Sequence, residues 1–114
     1  MQMKSQEMEG ALLVTVLDTR IDAAVAVRFK NRMGELATTP SDRVILDLSK
    51  VEFLDSSGLG AVVGSMKQLG RARRLDLVGL TPTVAKVFRI TRMDRVFRIF
   101  PTADDAIKDI ADAS

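Results

Sequence analysis

Eight residues, Phe53–Gly60 (FLDSSGLG), bring together a carboxylate, two hydroxyls and two glycines just ahead of a run with helical character. A serine at a helix start stands among backbone N–H groups that have no partner within the helix, at the positive end of the helix dipole. A phosphoryl group added there meets an anion site already in place. Ser56 and Ser57 are the two hydroxyl candidates. Asp55 is placed to cap the helix or orient the hydroxyl, and phosphorylation beside it sets negative charge next to negative charge. Gly58 and Gly60 are expected to keep the acceptor open, so that a kinase cleft can approach the backbone. On that reading Gly58→Val blocks approach and leaves the fold intact. Close packing of the helix on a sheet is the other reading of Gly58, Gly60 and Gly64, and it is the preferred one for Gly64.

The rest of the composition removes most other chemistry. The 114 residues include no His and no Cys, and neither Trp nor Tyr. Triads, imidazole or thiolate metal sites, disulfides and most aromatic cages are therefore excluded. An enzyme would have to work with Asp, Glu, Ser, Thr, Lys and Arg alone, so none is expected. Asp18, Asp22, Asp47 and Asp55 match no compact cation loop, and strand-end and capping roles account for them. No metal and no cofactor is expected.

Charge is uneven. Residues 67–98 carry nine basic and two acidic side chains, within a chain whose net charge is only +2. Arg89, Arg92, Arg95 and Arg98 recur every third residue, but the run passes from helix through turn to strand and cannot form one stripe. Phe88, Phe97 and Phe100 read as core, not as base-stacking platforms. The segment is expected to present a solvated basic face to an acidic protein surface, without direct nucleic-acid binding. The first ten residues lack the apolar core of a secretory signal, and no apolar run is long enough to span a bilayer. A cytoplasmic protein without membrane insertion is expected.

The elements that must position the loop are legible from periodicity. Ala11–Leu17 reads as a buried strand, with Met3–Glu9 pairing to it across Gly10. Asp22 reads as the N-cap of a helix with Val25, Phe29, Met33 and Leu36 on one face. Thr38–Ser41 stops it. Arg43–Leu48 has the continuous apolar run of a central strand. After a short link comes the strand–loop–helix unit of the Ser loop, and then the strand Arg74–Val78. Thr81-Pro82 opens a helix to about Ile90, with Val84, Val87 and Phe88 inward. Val96–Phe100 reads as the last strand. Thr102–Asp105 caps a terminal helix with Ala103, Ala106, Ile107 and Ile110 as its apolar stripe. The expectation is one α/β domain over residues 1–114: a mixed sheet of about five strands with helices packed against it.

In that arrangement the chain resembles the STAS domain, specifically the anti-sigma factor antagonist family of the SpoIIAA and RsbV type. VILDLSKVEFLDSSGLGAVVGSMKQL is similar to the family's central strand, phosphorylation loop and second helix. TPTVAKVFRITRMDRVFRIFPTADDAI resembles its C-terminal helix–strand–helix. Arg20-Ile21-Asp22 falls where the family has a short acidic-ended turn. The resemblance implies a non-enzymatic switch. Its unphosphorylated form binds an anti-sigma factor that is also a GHKL-type serine kinase, and so frees the sigma factor. The kinase phosphorylates the first Ser of the motif, here Ser56, and a PP2C-type phosphatase restores it. Asp22, Asp55, Ser57, Gly58, Leu59 and Gly60 would form the partner-contacting loop. Three places depart from the family pattern. Thr19 stands where Gly is usual, Arg73-Arg74 where a Gly pair is frequent, and Thr91-Arg92-Met93 where Ser-Gly-Leu is usual. The alternative is a STAS module serving another assembly: a lipid or anion transport subunit, a small-ligand sensor, or a switch with a non-transcriptional output.

Overall fold

The computed structural model describes residues 1–38 and 41–112, the last three of these by backbone alone. Strands β1 (Met3–Met8) and β2 (Ala11–Val16) form the expected antiparallel hairpin, with Met3 opposite Val16. Glu9 and Gly10 make its two-residue turn, both at positive φ (34° and 84°), the handedness that suits twisted strands.

Beyond the hairpin the chain alternates. It runs through β3 (Arg20–Ile21), α1 (Ala26–Leu36), β4 (Arg43–Asp47), β5 (Phe53–Leu54), α2 (Ser56–Leu69), β6 (Arg74–Val78), α3 (Pro82–Ile90), β7 (Ile99–Phe100) and α4 (Ala103–Asp112). The main sheet has the order β1-β2-β4-β6-β7 and is parallel from β2 onward. It is the mixed five-stranded α/β sheet expected. A second sheet was not expected: β3 and β5 pair in parallel, Arg20 with Phe53 and Ile21 with Leu54.

Two other expectations are corrected. Asp22 does not cap α1. It opens a turn in which its carbonyl accepts from Val25 N–H (3.1 Å) and Ala26 N–H (2.9 Å), and Val25 takes the cap position without a side-chain bond. The last strand is shorter than Val96–Phe100, because a 3-10 turn at Met93–Arg95 delays pairing until Ile99. Thr39 and Pro40 of the expected stop, and the Ile110 side chain, lie outside the described residues. Thr81 does sit at the cap of α3, yet its hydroxyl donates to the Val51 carbonyl (2.8 Å) instead of capping. Thr102 caps α4 as expected, with Asp105 N–H donating to Thr102 Oγ1 (3.1 Å).

The core has two unequal layers. Phe29 and Met33 of α1, Val62 of α2 and Val84 and Phe88 of α3 pack on Leu12, Val14, Val44, Leu46 and Leu77. On the opposite face α4 covers a small cluster of Ala11, Ile45, Val78 and Ala106. Strand β4 is thus buried on both faces, which is why its sequence runs apolar without alternation. Beneath α4 lies an ionic chain. Arg43 is bonded to the fully buried Asp76 and donates from Nη1 to the Ala106 carbonyl (2.8 Å). Arg74 also reaches Asp76 (2.9 Å), and Arg98 holds Asp109 of α4 (3.0 Å).

Candidate functional site

Because β2, β4 and β6 are parallel, the loops leaving their carboxyl ends feed α1, α2 and α3 at one end of the molecule. The Ser loop lies there. Asp55 is extended (φ −97°, ψ −174°) and caps α2, accepting from Gly58 N–H at Oδ1 (2.8 Å). Its other oxygen, Oδ2, accepts from Ala23 N–H (3.2 Å) in the turn after β3. One carboxylate therefore ties the two loops together. The Asp22 side chain holds the same turn from within, accepting from Ala24 N–H at Oδ1 (3.1 Å) and from Arg20 Nε at Oδ2 (3.3 Å).

Ser56 and Ser57 are the first two residues of α2. Both are exposed, and neither hydroxyl has a hydrogen-bond partner among the described residues. Their own N–H groups have no carbonyl within the helix to reach. The Ser56 hydroxyl thus stands free in solvent beside two available donors.

The glycines divide differently from expectation. Gly58 is buried, and a Cβ there would meet the Ile21 carbonyl oxygen at 2.0 Å. It is a packing glycine that lets β3 cross the first turn of α2, so the expectation that Gly58→Val keeps the fold is overturned. Gly60 is exposed with nothing within 4 Å of an added Cβ. Leu59 is half-buried against the main core. At Gly64 an added Cβ would meet the Lys30 side chain of α1 at 3.2 Å, so the close neighbour is α1 and not the sheet.

One contact beside the loop was not legible in the sequence. The Arg20 guanidinium lies 4.1 Å from the centre of the Phe53 ring, and Phe53 remains 37% exposed. The available signal was the repeated order aliphatic-then-Asp in Ile21-Asp22 and Leu54-Asp55, which the β3–β5 pairing sets side by side. Arg89, Arg92, Arg95 and Arg98 fall in α3, in the turn after it, in the 3-10 turn and just before β7, so they form no single stripe, as expected. Phe88 and Phe97 stack edge to face in the core (5.9 Å, 77°). Arg73 caps the end of α1 through the carbonyls of Ala37 and Ser41, while Arg74 and Arg98 join the ionic chain. Among the described residues no group of acidic side chains is arranged to hold a metal. None of the described helices is long and apolar enough to cross a membrane.

The sequence profile of the STAS domain matches residues 2–106, nearly the whole chain. The chain belongs to the STAS domain family. This STAS domain is 27% identical over 101 residues to the anti-sigma-F factor antagonist RsfB of Mycobacterium tuberculosis, covering 89% of this chain and 83% of that one. Among solved structures it superposes on an anti-sigma factor antagonist from Mycobacterium paratuberculosis with a TM-score of 0.85. The two are 26% identical, over 96% of this chain and 93% of that one. It also superposes on the anti-sigma factor antagonist SpoIIAA in its unphosphorylated form, with a TM-score of 0.77 at 21% identity over 96% of each chain.

Proposed function

We propose that this STAS domain, one unit over residues 1–114, is an anti-sigma factor antagonist that works in the cytoplasm by binding, not by catalysis. Unphosphorylated, it captures an anti-sigma factor that is also a GHKL-type serine kinase, and so releases a sigma factor. Phosphorylation of Ser56 switches that binding off, and a PP2C-type phosphatase resets it. The observation that carries the reading is the free, exposed Ser56 hydroxyl on the first turn of α2, with Asp55 committed on both oxygens to backbone N–H groups. A phosphate can be accepted at that helix end without breaking an existing bond. Asp22, Ser57, Leu59 and Gly60 surround it as contact residues, whereas Gly58 acts through packing. The names of the RsfB and Mycobacterium paratuberculosis relatives support the antagonist role.

The experiment is incubation with the kinase encoded in the same genome and ATP, followed by peptide mass spectrometry. One phosphate on Ser56, with loss of the kinase complex on gel filtration, is the expected result. Phosphate on Ser57 alone, or a complex indifferent to phosphate, rejects the reading.

A further inference from the structure

At the far end of α2 from Ser56, a cleft of about 340 Å³ opens where β7 parts from β6. Leu77 N–H donates to the Arg98 carbonyl (3.0 Å) and Gly79 N–H to that of Phe100 (3.1 Å). Leu75 lies on the same edge two residues earlier, but β7 begins opposite Leu77, and no carbonyl of the described residues closes on the Leu75 N–H. That donor faces the cleft, whose apolar wall is Met66 and the half-exposed Val96.

The charges around it do not balance. Arg43 and Arg74 share Asp76, and Arg74 and Arg98 share Asp109 (3.8 and 3.0 Å). Three guanidiniums meet two carboxylates; Arg73, held by the carbonyls of Ala37 and Ser41, also lines the cleft. Asp76 also borders the cleft: its Oδ2 is shared by Arg43 and Arg74, while its Oδ1 has no partner among the described residues. Guanidinium forks beside an open strand-edge N–H are the donor set that recognises a phosphate group. We propose that this cleft binds a small soluble phosphate-bearing anion. The site is separate from the Ser56 switch, since the length of α2 between Ser56 and Met66 places the two about 15 Å or more apart.

The probe is pyrophosphate, titrated into the full chain at fixed ionic strength while backbone amides are followed by NMR. The Leu75 amide should shift saturably, with a Kd on the order of 1 mM or tighter, as two to three charge-assisted hydrogen bonds allow. Arg98→Gln should weaken binding about tenfold. Val96→Asp, a change at an exposed position, should abolish it with the fold retained. Arg92→Gln should leave it unchanged, and so should Ser56→Ala. The proposal is overturned if the Leu75 amide stays still or sodium chloride reproduces its shift. It is equally overturned if Arg92→Gln costs as much as Arg98→Gln, or if only phosphate displayed on anionic phospholipid vesicles binds.

Discussion

The carbonyl oxygen of Ile21 lies 2.0 Å from the point that a Cβ on Gly58 would occupy. A backbone atom cannot swing aside as a side-chain tip can, so β3 and the turn carrying Asp22 must move if Gly58 gains any side chain. Gly58→Ala should therefore destabilise by about 1–3 kcal/mol, and Gly58→Val by more. Gly60→Ala, in open space on the same helix, should be neutral or stabilising by up to about 1 kcal/mol. Urea midpoints of the two alanine variants check this. Equal midpoints would mean that Gly58 is not a packing residue.

Asp55 spends one oxygen on α2 and the other on the turn after β3. Asp55→Ala should lose about 1–2 kcal/mol as a missing cap, and the Ala23 amide should exchange with solvent faster as its acceptor goes. Asp55→Asn, with one acceptor left, should keep one bond and lose the other. Hydrogen exchange at Gly58 and Ala23 in both variants shows whether one carboxylate couples the loops.

Arg92 adopts left-handed geometry (φ 62°, ψ 20°) just after α3, where the STAS resemblance puts Gly. Left-handed backbone costs a side-chain-bearing residue roughly 1–2 kcal/mol, and glycine returns part of that through a looser unfolded chain. Arg92→Gly should raise stability by about 0.5–1 kcal/mol, seen as a thermal midpoint a few degrees higher. A lower midpoint would show that the Arg92 side chain contributes more than its strain costs.

The same turn marks where the sequence stops being informative. Residues 96–100 have strand composition, yet the left-handed Arg92 and the 3-10 turn after it consume the chain before it reaches β6. Periodicity reports which face is apolar, not where a chain arrives. Runs of five residues or more, such as Ala11–Val16, Arg43–Asp47 and Arg74–Val78, were legible because burial repeats along them. The two-residue strands β3 and β5 were not, since two residues carry no period. Around the candidate site, capping chemistry made Asp55 and Ser56 readable. What Gly58 packs against was hidden, because the atom that excludes its side chain belongs to a residue 37 positions earlier.

Asp76 is fully buried, shared by Arg43 and Arg74, and has one carboxylate oxygen without a partner among the described residues. Removing the charge leaves Arg43 buried without its counter-ion. Asp76→Asn should cost about 3–5 kcal/mol, and the amides of α4 should lose protection first, since Arg43 also holds the Ala106 carbonyl. Replacing the pair together, as Arg43→Met with Asp76→Leu, should recover most of the loss. If the double variant is as unstable as the single one, packing and not the orphaned charge sets the cost.

In the proposed function the switch rests on Ser56. Phosphorylation adds about −1.5 to −2 charges at pH 7. Within the domain, the end of α2 offsets this by roughly 0.3–1 kcal/mol, so the fold should persist. A partner docked over that turn must desolvate the phosphate beside Asp55, and a cost of about 3 kcal/mol weakens binding about 100-fold. Ser56→Ala should bind the kinase without regulation, Ser56→Asp should bind weakly while its circular dichroism stays native, and Ser57→Ala should still accept one phosphate. Calorimetric titration of each variant with the kinase separates the outcomes. Native affinity in a folded Ser56→Asp protein whose phosphorylated parent also binds normally would mean that charge at the head of α2 does not gate the interface.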